Sequence, residues 1–317
     1  MHPTLEAHLD HAVDELTAFL AHPAREAPDQ RELVFQRLDQ FCRLAADVEA
    51  AHAGDLDELR SAQQRFRDAT QAVFGQSTMV ARARAWPRGY PGDFETLEAV
   101  YARAEPSPGL GGHLDAYFQH QSLAVAVRSR MRTLTALLAR RGAEEGDRGR
   151  WLNLACGSAR ELLHVPAAPG RQIICVDQDP AALACGAALL AGTGHRIAWQ
   201  ARNALRYVSA PATRRRHGEL TTVYSAGLFD YLGDDALVEL LAGLHGALAA
   251  GGLLVAAFKD ARRYRPQGYH WLARWHFFLQ RTEPQFRALL DRAGLPAERT
   301  ELVRDDSGVI LFFLVRR

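Results

Sequence analysis

Apolar residues recur every three to four positions through the first part of the chain, then give way after about residue 150 to short unbroken runs. Leu9, Val13, Leu16 and Leu20 fall on one face of a helix. Leu33, Leu38, Phe41 and Leu44 do the same on a second segment, and Leu56, Leu59, Phe66, Val73 and Phe74 on a third. Two prolines and two glycines at residues 86–92 forbid a continuous helix there. Asp93 then stands as N-cap of a helix through Tyr101, with Thr96 and Glu98 inside it. After the loop PSPGLGG, one long helix is predicted from about residue 113 to residue 141. The stretch GAEEGDRG reads as a linker, so a helical domain is expected over 1–142 and a second domain over 150–317.

In the second domain β-rich runs alternate with helical segments: WLNLA, IICVD, AALACGAALL, HRIAWQA, LTTVYSA, a helix near 234–248, GGLLVAAF, and a helix near 283–293. Such alternation implies a parallel sheet covered by helices on both faces, a doubly wound α/β arrangement. Two closing strands, near 298–304 and 309–315, are separated only by Asp305-Asp306-Ser307-Gly308. A hairpin loop of that length turns the last strand antiparallel to its neighbour.

Composition narrows the field. The 317 residues are 48% hydrophobic and 24% charged, the balance of a globular chain with a core. A formal charge of +1 gives no electrostatic reason for a nucleic-acid or anionic-membrane partner. The run Arg214-Arg215-Arg216 reads as a solvated loop. Apolar runs fall far short of the ~20 residues of a membrane helix, and the N-terminal residues do not read as a signal peptide, so a cytoplasmic protein is expected. Cys42, Cys156, Cys175 and Cys185 have neither CxxC spacing nor a His companion, so they read as reduced thiols and no metal is expected.

The candidate chemistry lies in the first β-turn-α unit. Small residues at 155, 157, 158 and 159 let a ligand approach the backbone, and the helix expected next would aim its N–H groups at it. Asp177 ends the second strand 20 residues after Gly157, where a carboxylate can accept hydrogen bonds from the hydroxyls of an adenosine ribose. NAD and S-adenosylmethionine (SAM) both satisfy that geometry. A dinucleotide site wants G-x-G-x-x-G for its pyrophosphate, whereas this loop has a single Gly flanked by Asn153 and Glu161. SAM is the better match.

LNLACGSARE, IICVDQDP, and VYSAGLFDYLGDDA followed by LAAGGLLVAAF resemble the class I SAM-dependent methyltransferases. GYPGDFETLEAVY, AVRSRMRTL and WLARWHFFLQRTEPQF are similar to the bacterial methyltransferases that make 3-hydroxypalmitic acid methyl ester, an extracellular signal. The resemblance covers roughly residues 75–317. It implies a seven-stranded Rossmann-like methyltransferase sheet with an N-terminal helical lid, SAM as cofactor and a small-molecule substrate; monomer and homodimer both stay open. It places Asn153, Ala155 and Gly157 at the methionine end of SAM, Asp177 on the ribose, Gln178 beside the adenine and Asn203 at its amino group. Ser225 and Ala226 then face the sulfonium.

Each of these residues also has a structural reading. Asp177 and Asn203 are placed to cap helices, as are Asp230 and Tyr231, which otherwise shape the acceptor site as catalytic candidates. Tyr90 and Asp93 form either a rigid turn or, as the resemblance implies, a catalytic lid segment. Arg128 and Arg130, on the long helix, reach a carboxylate of SAM or substrate, or are surface arginines. The aromatic stretch 264–281 is an amphipathic helix or a pocket wall, with His270 and His276 as minor base candidates. Three functions remain open: methyl transfer, for example to a carboxylate; cyclisation of SAM with release of methylthioadenosine; and SAM binding without turnover.

Overall fold

A computed structural model describes residues 3–275 and 278–317. The chain divides into two compact units, residues 1–125 with 265–276, and residues 126–264 with 277–317. The division falls inside a helix rather than in the stretch 142–149. The reason is local: Arg141 donates to the Thr222 hydroxyl at 3.2 Å, and Thr222 and the Trp151 indole donate to Glu145, tying this end of the helix to the sheet.

The first unit is helical: α1 (Pro3–Ala21), α2 (Arg31–Ala51), α3 (Leu56–Ala69), α4 (Gln71–Phe74), α5 (Thr78–Ala85), α6 (Phe94–Tyr101) and α7 (Gly109–His120). The buried face of α2 is Val34, Leu38, Phe41, Ala45 and Val48: Leu38 and Phe41 are buried as expected, whereas Leu33 points outward and Val34 and Ala45 take the places expected of Leu33 and Leu44. The helix predicted over 113–141 is two helices. Gln121 is extended (ψ 150°) and separates α7 from α8 (Ser122–Glu145). Nor is the stretch 264–281 one helix: a single π-helical turn, Gly268–Leu272, is its helical part among the described residues. Trp271 of that turn packs edge-on against Phe41 and Phe66. Buried Arg84 fastens it by donating to the Leu272 carbonyl at 2.8 Å while also bonding Thr70 and Gln71.

The second unit is built on a sheet of seven strands among the described residues: β1 (Arg150–Leu154), β2 (Gln172–Asp177), β3 (Arg196–Ala201), β4 (Leu220–Ser225), β5 (Leu248–Lys259), β6 (Thr300–Arg304) and β7 (Ile310–Arg316). Their order is β3-β2-β1-β4-β5-β7-β6, with β1 to β5 parallel and β7 antiparallel to both β5 and β6. The expected α/β sheet with its last strand reversed is therefore present. Side chains alternate between faces. Leu152, Leu154, Val223, Leu254, Phe258 and Phe313 join a core with α11 (Asp234–Ala247) and α12 (Glu283–Arg292). Asn153, Thr222 and Tyr224 face the other way. α9 (Pro180–Leu189) follows β2, and α10 (Ala210–His217) precedes β4. Arg214-Arg215-Arg216 thus form the last turn of a helix, not a loop. Among the described residues no helix is long and apolar enough to cross a membrane.

Candidate functional site

The carboxyl ends of β1, β2 and β4 carry most of the expected cofactor residues. Beyond β1 the backbone enters the left-handed region at alternate positions: Ala155 (φ 52°), Gly157 (φ 54°) and Ala159 (φ 51°). For an alanine this costs about 1–2 kcal/mol, so the surrounding structure imposes the shape. The helix expected after the loop is only a five-residue 3-10 segment, Arg160–His164. Pro166, two residues beyond, disfavours helical backbone at Val165 and leaves no room for more.

Asp177 closes this loop. One of its carboxylate oxygens accepts the Gly157 N–H at 2.8 Å and the other accepts the Asp179 N–H at 3.0 Å. A carboxylate has about four acceptor sites, and the Gln178 N–H also acts on this one, so it keeps room for a further donor. Burial raises its pKa, opposed by these backbone N–H groups. The N-cap of α9 is Asp179, which accepts the Ala181 N–H at 2.9 Å, so Asp177 is not needed for capping. Gln178 is exposed. Asn203 is exposed as well and caps a short 3-10 segment, its side-chain oxygen accepting the Leu205 N–H at 2.8 Å.

At the end of β4, Ser225 is buried and its Oγ has no partner among the described residues. A hydroxyl left so is an opening for a polar ligand atom or water. The Ala226 carbonyl accepts from Arg130 at 2.7 Å. Arg128 is buried on α8. Asp230, on the 3-10 turn Phe229–Tyr231, is buried in an ion pair with Lys259 and also accepts the Lys259 N–H at 3.1 Å. Burial lowers the Lys259 pKa, opposed by Asp230, and the ammonium sits 3.5 Å from the Phe278 ring centroid. Asp230 is therefore engaged by Lys259 through both its side chain and its backbone. Tyr231 beside it is partly exposed, with its ring 4.9 Å from that of Phe278.

Two functional candidates were overlooked. Glu161 accepts from Asn153 at 2.7 Å and from the Tyr224 hydroxyl at 3.1 Å. The residue keeps some solvent contact, but its carboxyl is enclosed, and desolvation pushes its pKa up to about 7. Its signal was an acid two residues past a small-residue loop. Lys259 was the other, and its signal was compositional: it is the sole lysine among 38 basic residues. Burial, and then Cys175, push the Cys156 thiol up, which disfavours its thiolate form.

Tyr90 and Asp93 lie in the helical unit. Asp93 is buried, caps α6 by accepting the Thr96 N–H at 3.0 Å, and takes a two-oxygen contact from Arg82 at 2.9 Å. Its acceptor capacity is largely used. Tyr90 is half-buried in the preceding turn. His270 is bonded to Glu49 at 2.9 Å, which also accepts from the Trp271 indole, a structural arrangement. His276 lies outside the described residues.

With this geometry in view, comparison with solved structures is informative. No family model and no curated protein matches the chain. The chain is similar in fold to the CurJ carbon methyltransferase. That match has TM-score 0.52 and 14% identity, covering 99% of this chain and 91% of the other. A Bordetella parapertussis protein described as a possible exported protein matches with TM-score 0.59 and 17% identity, over 94% of this chain and 99% of its own. At such identities the likeness is one of fold, and it extends over the helical and the sheet residues alike.

Proposed function

We propose that the chain is a class I SAM-dependent methyltransferase acting on a small molecule. The observation that carries this reading is the left-handed loop 155–159 held by the Asp177 carboxylate at the heads of β1 and β2. A dinucleotide would need more glycine there, whereas the amino-acid end of SAM needs only short side chains. The backbone around Ala155 and Gly157 receives that end, with Asn153 shaping the loop through Glu161. The acceptor room left on Asp177 takes a ribose hydroxyl, and Gln178 and Asn203 flank the adenine. The unpartnered Ser225 Oγ, with Ala226 beside it, suits the polar surroundings of the sulfonium. Arg128 is assigned to a carboxylate of either ligand.

SAM, when bound, supplies a methyl group already activated by positive sulfur. The protein's own task is then alignment and exclusion of water. Asp230, held by Lys259, fixes the turn that presents Tyr231 to the acceptor. Tyr90 is proposed as a lid residue; Asp93 would hold that turn in shape through Arg82 rather than exchange protons. A fatty or other small carboxylate is the first acceptor class to test, since the resemblance of residues 75–317 points there and a carboxylate needs no general base. Four free cysteines agree with a cytoplasmic setting.

The test is incubation with SAM alone and with candidate acids, followed by mass spectrometry. S-adenosylhomocysteine formed only with an acceptor supports the proposal. Methylthioadenosine with a cyclic amino acid would replace it with a cyclase. SAM bound but unchanged under every condition would leave a binding protein. Asp177→Ala is expected to weaken SAM binding by about 10–100-fold, the worth of one or two hydrogen bonds to a charged group.

A further inference from the structure

A cavity of about 470 Å³ lies between the end of β3 and α10, lined by Arg202, Arg206, Arg215 and Arg216 together with Tyr207 and Thr213. That volume falls in the range of small-molecule sites. No carboxylate lines it. None of the four guanidinium groups makes an ion pair or a side-chain hydrogen bond among the described residues. Some arginines elsewhere are matched, as Arg82 is by Asp93 and Glu95, and Arg281 by Asp234; what sets these four apart is that they converge on one concavity with no carboxylate among its lining. The negative end of a helix dipole accounts for Arg215 and Arg216, in the last turn of α10. It does not account for Arg202 and Arg206, which come from the end of β3 and the following 3-10 segment.

Two neighbouring side chains agree with an anion site here. Thr213 is 3% exposed, and its hydroxyl has no partner among the described residues, a state that buried polar groups rarely keep. Next to it, His217 is held neutral down to about pH 4, by burial first and then by the charges of Arg216, Arg202 and Arg150. Four arginines thus gather in one place although the whole chain carries only +1.

We propose that this cavity binds the phosphate or diphosphate group of a small molecule. Guanidinium forks match phosphate oxygens pairwise, and four of them exceed what one carboxylate can satisfy. The concave shape and the near-neutral whole favour a small ligand over a nucleic-acid strand. SAM carries no phosphate, so the ligand proposed here is a different one and the inference does not depend on the SAM reading. The two sites are neighbours in the chain: the Arg202 N–H donates to the Asp177 carbonyl at 2.8 Å.

Calorimetric titration with inorganic pyrophosphate and with ADP, in phosphate-free buffer of low ionic strength, tests the idea. One-to-one binding is expected. It should weaken about tenfold or more in R202Q/R216Q, recover partly in R202K/R216K, and weaken with added NaCl. Equal affinities assign the site to the diphosphate group alone, and tighter ADP assigns it to a nucleotide; either supports the proposal. Thr213→Val gives a second reading, an expected loss of about threefold without loss of charge. Circular dichroism of each variant checks that the fold is kept. The proposal is overturned by no saturable binding of either probe, or by binding unchanged in R202Q/R216Q. Tighter, salt-sensitive binding of a single-stranded oligonucleotide, with several proteins per strand, overturns it in favour of nucleic acid.

Discussion

Glu161 offers a quantitative check on the electrostatics around the loop. Its carboxyl is enclosed among Asn153, Tyr224 and Cys156, with Arg130 as the nearby cation, and its pKa stands at about 7 against an ordinary 4.5. Because the folded value is the higher one, the native state binds the extra proton. The stability it brings is complete below pH 4.5 and is lost as pH rises toward 7. Each tenfold difference in proton affinity is worth about 1.4 kcal/mol, so the loss reaches about 3 kcal/mol. That is an upper figure, since the residue keeps some solvent contact. Glu161→Gln retains an oxygen to accept from Asn153 and Tyr224 but cannot ionise. The variant should therefore gain on the wild type by about 2–3 kcal/mol between pH 4.5 and 7.5 and remain level above that. Urea unfolding of both proteins at half-unit pH steps measures the difference, in which all other titrations cancel. A difference that stays flat with pH would refute the assigned proton.

Other perturbations follow from the same geometry. Asp230→Asn leaves the Lys259 ammonium buried without its partner and should cost about 3–5 kcal/mol in urea unfolding; D230N/K259M should recover most of that, as a double-mutant cycle would show. Ala159→Gly relieves a left-handed alanine and is expected to raise stability by up to about 1 kcal/mol, read from urea unfolding. Gly92→Ala combines a φ of 69° with a collision against the Trp275 indole, and should destabilise the helical unit by more than about 2 kcal/mol, read from its thermal transition. Asp93→Ala removes a cap and strands Arg82, for an expected loss of about 2–4 kcal/mol in that same transition.

The sheet was legible because its strands are buried on both faces and so appear as continuous apolar runs, IICVD and ILFFLV among them. The Asp177–Gly157 pairing was legible because both partners are set by one βαβ unit. Three things escaped. α10 is polar along its length, so no periodic stripe announces it, although Ser209 caps it and Pro211 stands in its first turn. The break at Gln121 has neither Gly nor Pro to mark it. The Asp230–Lys259 and Asp93–Arg82 pairs join residues whose separation carries no local rule, so the sequence offered a cap or a catalytic role for each acid but neither tertiary partner.

Lys259 has a practical consequence. It is the sole lysine of the chain, and only 4% of it is exposed. The native fold therefore hides the one lysine amine of this sequence from an amine-directed reagent. Acylation of Lys259 then records each opening of the carboxyl end of β5, and its rate under fast reclosing measures the free energy of that opening. Evolution has left in place a single-site unfolding reporter that ordinary proteins, with lysines scattered over their surfaces, would need to be engineered to carry.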